Sequence, residues 1–517
     1  MKSVQWLLAA AILAAIPLAS QSPVASSPQP DDPPSRVGRL NWLTGDVAFQ
    51  PAGLDEWTTA TLNYPLTTAD HLFTGQDSRV EMHIGANAVR LDSNTNFGFL
   101  NVDDGIVQVS LTAGSAEIHL RSLEDDDTFE VATPNGAITL LRTGDYRIDT
   151  DPERDATMLT VRAGQAELFS GANSVIIRSP QTAYFKTDQN PNIQTANDPD
   201  DFDSFVAARE GTVLTTDAAA PANNGRGYLD RFSDRVSVGD LVAEGMTGAE
   251  DLNAYGTWQN SPLGQDWVPP VDPGWVPYSD GDWSYVEPWG WTWIDAAPWG
   301  FAPYHYGRWG FANGRWVWYP GPRQTVQTYA PALVTFIGGG SAGSVSWFPL
   351  SPRDSWIPPW RPPPDTAMLP RISSNRNVPG AIRTLPQIDF ISGTRVHPGI
   401  GLASEGEIIG SSPLVMPVRD SILVGTSRMR PPVVNRPLIA RTAPPPAPVS
   451  FAATLGLLAV NRGRPLQKKQ VEYLRKTLPA AVLQRTAVRS TVPLINTPRT
   501  PKPAPAARPQ TKPASVK

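Results

Sequence analysis

The side chains best suited to chemistry lie in a tryptophan-rich stretch, where aromatic rings and a histidine gather near predicted turns. Fourteen of the seventeen tryptophans fall between Trp258 and Trp360. Exposed rings offer flat platforms for planar or ring-shaped ligands, and an imidazole adds a hydrogen-bonding group. The side chains expected to be most exposed, and therefore the candidate ligand-binding residues, are Trp275, Trp299, Tyr304, His305 and Tyr306.

A structural use of the same rings competes with this interpretation. Between Gly256 and Arg323 there are 18 aromatic residues against 7 leucines, isoleucines and valines. Because so few aliphatic side chains remain, most rings are needed to fill a core. The sequence leaves both interpretations open, an exposed platform or an aromatic core.

Three carboxylates in this stretch, Asp282, Glu287 and Asp295, define an alternative function, a carbohydrate-active hydrolase. Glycoside hydrolysis needs two carboxyl groups roughly 5 to 9 Å apart, one with a raised pKa. These acids lie at predicted turns beside glycine or proline, where acids are common for conformational reasons. No nucleophile elbow, phosphate loop or metal motif accompanies them, so we expect a non-enzymatic protein.

Metal and cofactor motifs are also missing from the sequence. The acidic run Glu124-Asp-Asp-Asp127 lacks the glycine-spaced ligand loop of a calcium site and is typical of a solvated turn. His71, His83 and His119 fall on different predicted strands, without a histidine or cysteine at metal spacing. We therefore predict no metal, no cofactor and no functional role for these residues.

The elements that position the aromatic residues repeat about every 25 residues. Gly256-Thr-Trp258, Gly281-Asp-Trp283 and Gly307-Arg-Trp309 are spaced by 25 and 26 residues. A period this short accommodates two strands and two turns, so each unit is predicted to be a β-hairpin that buries its apolar face by stacking on its neighbours. Residues 256–360 are thus predicted to form a Trp-rich β-hairpin repeat domain with an aromatic core.

Four short aromatic motifs follow one another in this domain: Trp275-Val-Pro-Tyr278, Trp289-Gly-Trp-Thr-Trp293, Ala302-Pro-Tyr-His-Tyr-Gly-Arg-Trp309 and Trp316-Val-Trp-Tyr-Pro-Gly321. They resemble an uncharacterised Trp/Tyr/Gly-repeat domain that follows FecR-like domains in many exported bacterial proteins. The resemblance implies no established activity.

Upstream, residues 37–186 form a succession of short alternating runs, such as Arg79-Val-Glu-Met-His-Ile84 and Ile106-Val-Gln-Val-Ser-Leu111. Turn signals such as Thr74-Gly75-Gln76 and Pro134-Asn135-Gly136 separate the runs. Alternation with a period of two predicts an all-β fold, either a sandwich, a roll or a solenoid.

Six phrases follow one another in this region: Gly45-Asp46-Val47, Thr74-Gly75-Gln-Asp-Ser78-Arg79-Val80, Leu111-Thr-Ala-Gly114-Ser-Ala116-Glu-Ile118, Phe129-Glu-Val131-Ala-Thr133-Pro134, Thr143-Gly144-Asp145-Tyr146 and Val161-Arg-Ala-Gly164-Gln-Ala166. They resemble the FecR-like domain of bacterial envelope proteins. Typical members carry a cytoplasmic anti-sigma segment and a transmembrane helix before this domain, where this chain has a predicted signal peptide. The resemblance therefore implies a FecR-like β fold with a sensor or scaffold role.

Residues 1–26 are predicted to be a signal peptide, since Lys2 precedes the apolar run Trp6 to Leu18 and small residues follow. The run is too short to span a bilayer, and no later segment is long and apolar enough to be a transmembrane segment. The chain has no cysteine, which excludes disulfides and thiolate chemistry. We expect a periplasmic or secreted protein of the bacterial cell envelope.

Composition separates the remaining regions. Residues 187–255 are predicted to be a partly helical linker, and residues 361–517 a Pro- and Arg-rich tail, mostly disordered, in which residues 467–483 form a basic amphipathic helix kinked by Pro479. The tail has 23 basic and 6 acidic side chains, whereas residues 31–255 have 15 and 36. The two regions are expected either to attract each other or to meet separate partners.

Together these features predict a non-enzymatic exported envelope protein. Its FecR-like sensor or scaffold domain is joined to an aromatic repeat that binds a saccharide, a cell-wall or surface polymer, or an envelope protein. No nucleic acid partner is expected.

The first testable consequence is export with cleavage, because Lys2 and the apolar run form a signal peptide. Amino-terminal sequencing of the protein from the envelope fraction should start at about residue 21 or 27. A chain that begins at Met1 in that fraction would contradict export with cleavage.

Overall fold

Short strands dominate the chain, as the alternating sequence predicts. The computed structural model describes residues 32–170, 173–216, 242–243, 245–323, 327–338, 343–361, 373–398, 407–410, 412–423, 427, 429–431, 437–479 and 488–490. The predicted all-β class is confirmed for these residues. The predicted signal peptide, residues 1–26, lies outside them. Within these ranges no helix has both the length and the apolar composition that crossing a membrane requires.

The first region contains seventeen strands. They are β1 (Gly38–Thr44), β2 (Val47–Gln50), β3 (Thr58–Thr59), β4 (Pro65–Leu66), β5 (His71–Thr74), β6 (Arg79–Ile84), β7 (Asn87–Leu91), β8 (Asn96–Val102), β9 (Ile106–Leu120), β10 (Thr128–Ala132), β11 (Ala137–Leu140), β12 (Gly144–Asp151), β13 (Ala156–Val161), β14 (Gln165–Ser170), β15 (Asn173–Arg178), β16 (Gln181–Phe185) and β17 (Asn192–Thr195).

The long strand β9 organises this region because it belongs to two sheets. Its first half pairs with β8 and, in parallel, with β10. Its second half pairs with β7 and β12. The apolar side chains of both sheets contribute to one core. Two sheets around a shared core correspond to the sandwich or roll among the predicted folds.

Gly114 lies where β9 passes from one sheet to the other. Ala113 still pairs with β8, whereas Gly114 pairs with Thr150 of β12. The backbone of Gly114 has φ +84°, and a Cβ atom there would lie 2.4 Å from Thr95 Oγ1. Only glycine tolerates both conditions, so this residue permits the transition between the sheets.

The Trp-rich region contains the three predicted hairpins. The first and third share a four-stranded sheet, in which Trp267 lies opposite Trp318, and the second forms its own ribbon. The hairpin prediction is therefore confirmed. The hairpins are β18 (Thr257–Ser261) with β19 (Gly264–Val268), β20 (Gly281–Val286) with β21 (Gly290–Asp295), and β22 (Arg308–Ala312) with β23 (Arg315–Tyr319).

Aromatic rings fill the interior of this region. Trp283 is 1% exposed, and its ring centroid lies 5.2 to 5.5 Å from those of Trp293, Phe336, Trp347 and Phe390. These distances are within the range of favourable aromatic pairs. The predicted aromatic core is confirmed.

Helices are few, and most of them are short. They are α1 (Asp201–Thr216), α2 (Leu252–Tyr255), α3 (Ala302–His305), α4 (Gln387–Ile391), α5 (Phe451–Val460) and α6 (Lys468–Thr477), with 3-10 helices at Ser374–Asn377 and Arg419–Ser421. Helix α1 lies in the region predicted to be a partly helical linker.

The described parts of residues 361–517 include strands and helices. The strands β24 (Val334–Gly338) and β25 (Ser344–Pro349) are flanked by β27 (Glu407–Gly410) and β26 (Arg383–Pro386), which belong to the tail. Phe390 of α4 is fully buried against tryptophans. Apolar residues between the prolines are ordered here because the aromatic core offers a surface on which they pack. Two further tail strands, β28 (Leu438–Ala440) and β29 (Val488–Ser490), pair in parallel.

The predicted basic helix is present as α6 and ends before Pro479. Leu478 follows the helix in an extended conformation, with φ −85° and ψ 146°. Proline disfavours the helical conformation for the residue before it, so the helix stops instead of kinking. Val471, Leu474 and Leu478 pack against the core.

Ion pairs join the described part of the tail to the acidic β region. Arg419 lies 3.0 Å from Glu56 of the β region. Arg441 pairs with Glu167, and its guanidinium carbon lies 4.0 Å from the ring centroid of Phe169.

The aromatic core predicts large losses of stability on truncation of its rings. Trp291→Ala and Trp309→Ala should each lower the free energy of unfolding by about 3 to 5 kcal/mol, as other large-to-small core changes do. Phe311→Ala is the matched control, because Phe311 is 44% exposed and should cost much less. Denaturant unfolding of the three variants measures this, and equal losses would contradict the assignment of the two tryptophans to the core.

Candidate functional site

The structure buries most of the predicted ligand-binding residues. Trp299 is 4% exposed, Tyr304 1%, Tyr306 3% and His305 0%. Only Trp275 is half-buried, and its ring packs edge-on against Trp299 and Trp309. The prediction that these rings form an exposed platform is therefore wrong for four of the five, because the turn that contains them is packed into the aromatic core.

Two of the predicted residues nevertheless line a pocket. His305 and Tyr306 belong to the wall of a partly open pocket of about 80 Å³, together with Trp356 and Trp360. The other three candidates, Trp275, Trp299 and Tyr304, are not part of its lining.

The wall of this pocket is assembled from four segments that are distant in sequence. They are residues 32–35, 305–308, 327–333 and 355–361. Asp32 fixes the first segment to the last, because it accepts a hydrogen bond from Trp360 Nε1 at 3.0 Å and pairs with Arg361. The backbone N–H of Tyr329 donates to Ser35 O at 3.4 Å.

Arg308 supplies a positive charge to the pocket. Its guanidinium donates to two backbone oxygens, that of Asp354 at 3.2 Å and that of Gly307 at 2.6 Å. Among the residues that the structure describes, no carboxylate forms an ion pair with it. Burial lowers the pKa of Arg308 to about 10, which still leaves it charged at neutral pH. Arg308 is half-buried, and the Asp354 carboxylate acts on it electrostatically without forming an ion pair, so an anion in the pocket would stabilise its charge further.

His305 supplies a hydrogen-bond acceptor. Burial lowers the pKa of its imidazole to about 3, so the ring is neutral at physiological pH. Its Nδ1 lies 2.8 Å from Ala330 O and therefore carries the proton. The Nε2 atom is then an acceptor, and within the described ranges it is buried without a hydrogen-bond partner.

Two indole rings complete the pocket. The centroids of Trp356 and Trp360 lie 5.5 Å apart at an interplanar angle of 74°. The Nε1 donor of Trp356 is buried and unpartnered in the part of the chain described by the structure. The pocket therefore combines aromatic surface with the Arg308 cation and the Asp32–Arg361 ion pair, and the unpartnered His305 Nε2 and Trp356 Nε1 atoms are buried in its wall, a composition that suits a polar, anionic ligand.

The carboxylates of the hydrolase alternative do not face this pocket. Gly281 lies opposite Asp295 in the second hairpin, so Asp282 and Asp295 project from opposite faces of the ribbon. Asp295 is buried and accepts hydrogen bonds from Trp293 Nε1 at 2.9 Å and Ala297 N at 3.0 Å. These two acids cannot flank one substrate.

Glu287 lies at a different place, in a cavity of about 30 Å³ that it shares with Tyr64, Asp70 and Tyr285. Burial raises the pKa of Glu287 to about 7 and that of Asp70 to about 8. The cavity holds no more than one or two water molecules, so it is too small for a sugar.

A row of buried charges crosses the sheet of the β region. Glu81, Arg90 and Glu117 lie opposite one another on β6, β7 and β9, and Arg90 donates to both carboxylates, at 2.7 and 3.1 Å. Helix α1 covers the row: its Arg209 pairs with Glu81 at 2.7 Å and its Glu210 with Arg90 at 2.6 Å.

Next to this row, Glu117, His119 and Asp145 each place one possible metal-ligand atom within 4.8 Å of the others. The sequence assigns no role to His119, since Asp145 is on another strand and is adjacent only through the register of β9 with β12. In the structure His119 forms a hydrogen bond with Asp145. Arg90 pairs with Glu117 and Arg121 pairs with Glu210, so positive side chains already balance these carboxylates. We assign these groups to the salt-bridge network that holds α1 on the sheet.

Sequence reasoning did not identify Arg308, Trp356 and Trp360 as site residues. Arg308 lies within the motif Ala302–Trp309, whereas Trp356 and Trp360 lie outside the motifs, and nothing in the local sequence distinguishes a ring in the pocket from a ring in the core. The one available signal was the position of Trp356 and Trp360 after the third predicted hairpin, outside the 25-residue repeat.

Part of the chain is similar to a known protein family. Residues 249–354 match a family of unknown function, DUF6600. The match covers the three hairpins and ends just before Trp356 and Trp360. No curated protein matches the chain.

Two crystal structures of a candidate anti-sigma factor from Parabacteroides distasonis, at 2.50 and 1.65 Å resolution, are similar to part of the chain. Each is 13% identical with a TM-score of 0.23, and the similarity covers 28% of this chain. The chain spans 64% of the length of that protein. Likeness at this level carries no argument about function.

The buried carboxyl of Asp295 predicts a pH dependence of stability. Burial raises its pKa from 3.8 to about 7. Between these values the folded chain holds one proton more than the unfolded chain, so this group's contribution to the free energy of unfolding falls as pH rises through that window. Between about pH 5 and about pH 8, the Tm of the Asp295→Asn variant should therefore fall less than the Tm of the parent protein.

Asp272→Asn is the matched control, because Asp272 is exposed and precedes the same hairpin. Thermal unfolding of the parent and both variants at the two pH values measures the effect. Parallel pH profiles for the parent and Asp295→Asn would contradict the raised pKa.

Proposed function

We propose that this protein is a non-enzymatic binding protein of the bacterial cell envelope, whose pocket lined by Trp356 and Trp360 holds an acidic saccharide unit of a cell-wall or surface polymer. The observation that carries the proposal is Arg308. It is a cation in the wall of a pocket, with hydrogen bonds to backbone oxygens and no ion-pair partner in the described part of the chain.

The guanidinium favours a carboxylate as the anionic group. Arginine presents a planar fork of donors that matches a carboxylate, and such charge-assisted hydrogen bonds are stronger than neutral ones. The anion would also offset the cost of keeping the Arg308 charge away from water.

The remaining lining favours a sugar as the carrier of that carboxylate. Sugars combine hydroxyl groups with apolar ring faces, and the pocket combines two indole rings with the unpartnered His305 Nε2 and Trp356 Nε1 atoms. A volume of about 80 Å³ suits part of one sugar unit, such as a chain end or a side branch.

The β region then serves as a sensor or scaffold, as its resemblance to FecR-like domains implies. Its core is continuous with that of the Trp-rich region, so it is mechanically joined to the pocket. Location in the periplasm or outside the cell rests on the predicted signal peptide. The separation of Asp282, Glu287 and Asp295 supports binding over hydrolysis.

Calorimetric titration with trimers of galacturonic acid and with neutral glucose trimers tests the proposal. The acidic trimer should bind, and the neutral one should bind at least tenfold more weakly. Arg308→Gln should weaken binding of the acidic trimer about 10- to 100-fold, which is the range expected for a hydrogen bond to a charged group. Trp356→Phe keeps a ring but removes Nε1–H and should weaken binding less.

Phe311→Ala removes an exposed ring outside the pocket and should leave the affinity unchanged. Equal binding of both trimers would refute the acidic ligand class. Lack of binding to either would refute the saccharide assignment and leave an envelope protein as the ligand. Release of reducing ends during the titration would favour the hydrolase.

A further inference from the structure

Helix α5 has an unusual distribution of polarity. Its buried face consists of Phe451, Thr454 and Leu458. Thr454 is the one polar side chain of the helix, and its hydroxyl donates to Phe451 O at 2.7 Å. The helix therefore turns its polar group inward, the reverse of an ordinary surface helix.

The opposite face of α5 is exposed and entirely apolar. Its members recur at the spacing of one helix face: Ala452, Leu455, Gly456, Ala459 and Val460. Leu455 is 38% exposed and Val460 76%. Within the described residues nothing covers this stripe, which indicates a surface that binds an external apolar phase or partner.

Helix α6 places positive charges beside this stripe. The two helices are tied together by a reciprocal pair of side-chain hydrogen bonds, in which Asn461 Nδ2 donates to Gln470 Oε1 at 2.9 Å and Gln470 Nε2 donates to Asn461 Oδ1 at 3.1 Å. Lys468, Lys469 and Lys476 are exposed on α6, as is Tyr473 at 61%.

This helical hairpin carries a strongly positive net charge. Residues 451–479 contain six lysines and arginines and one glutamate. A purely electrostatic contact with an acidic protein would use the charges but leave the apolar stripe exposed. Apolar residues that enter the acyl boundary, flanked by lysines that contact headgroups, are typical of helices that lie in the plane of an anionic bilayer.

We propose that the α5–α6 hairpin, residues 451–477, is a docking surface for an anionic lipid membrane. The apolar stripe of α5 enters the interface and the lysines of α6 contact acidic headgroups. The hairpin is anchored to the rest of the protein, because the backbone N–H of Phe451 donates to Gly53 O at 3.1 Å and Leu474 is buried in the core. Docking would thereby hold the β region at the membrane. This surface is independent of the pocket and goes beyond the proposed saccharide binding.

The absence of cysteine from the chain permits a site-specific test. Val460→Cys in the full chain is labelled with an environment-sensitive fluorophore and mixed with vesicles of phosphatidylglycerol and phosphatidylcholine in equal parts. The emission should shift to the blue and be quenched by spin-labelled acyl chains. Pure phosphatidylcholine vesicles should give at least tenfold weaker binding. The same label at Leu263→Cys, 61% exposed in the first hairpin of the Trp-rich region, should not respond.

Charge-reversal variants distinguish binding through this surface from a general electrostatic attraction of the protein to the vesicles. Lys468→Glu with Lys469→Glu should weaken the response of the label at position 460 by tenfold or more, since each basic side chain near an anionic surface contributes about fivefold. The control is Arg154→Glu with Arg178→Glu, which changes the net charge equally at exposed positions of the β region and should have little effect.

Four results would overturn the proposal. They are an equal response to neutral vesicles, no response to either kind, a blue shift that grows with protein concentration without vesicles, which would identify a second copy as the partner, and a blue shift with soluble polyglutamate alone, which would identify an acidic protein.

Discussion

The shortage of aliphatic side chains in residues 256–323 is the constraint on which the rest of the structure depends. With 18 aromatic residues and 7 leucines, isoleucines and valines, the three hairpins stack through rings. Trp267, Trp293 and Trp318 are completely buried as a result. Rings used in this way are not available as a platform, so the ligand binding that we propose is placed at the margin of the domain, where Trp356 and Trp360 meet residues 32–35.

Buried polar contacts join the β region to this aromatic core. Arg39 of β1 is fully buried, donates to Asn63 Oδ1 at 3.0 Å and to Pro298 O at 2.6 Å, and pairs with Asp251. Asn63 in turn donates to the backbone oxygen of Asp295 at 2.8 Å. Buried groups of this kind are costly unless every partner is in place, so they fix one relative arrangement of the two regions. The pocket and the β region are therefore parts of one folded body.

The β region and helix α5 differ in which side chains they expose to water. In the β region, charges are taken out of water and paired, as Glu81, Arg90 and Glu117 show under helix α1. In helix α5, apolar groups remain in water without a counterpart among the described residues. The first arrangement is complete in itself, whereas the second leaves an apolar stripe free for the membrane docking that we propose.

The local sequence pattern was sufficient to predict the strands, the hairpins and helix α6 of this protein. The alternation of residues 37–186 predicted the β region, the 25-residue spacing predicted the hairpins, and the basic amphipathic pattern of residues 467–483 predicted helix α6. These features depend on neighbours within one strand or one helical turn, which the sequence displays directly. Composition favoured the aromatic core, because few aliphatic side chains were available to fill it.

Tertiary structure decided which of these residues are accessible and which meet. Tyr304 and Trp299 are buried because other segments cover their turn. The sequence periodicity of a turn does not predict which segments will pack over it. The pocket joins Asp32 to Arg361 and sets both beside Arg308, and Glu117 meets Asp145 only through strand register. The order found in the described part of the tail has the same origin, since its short apolar segments are stable only on an aromatic surface built by residues far away in the sequence.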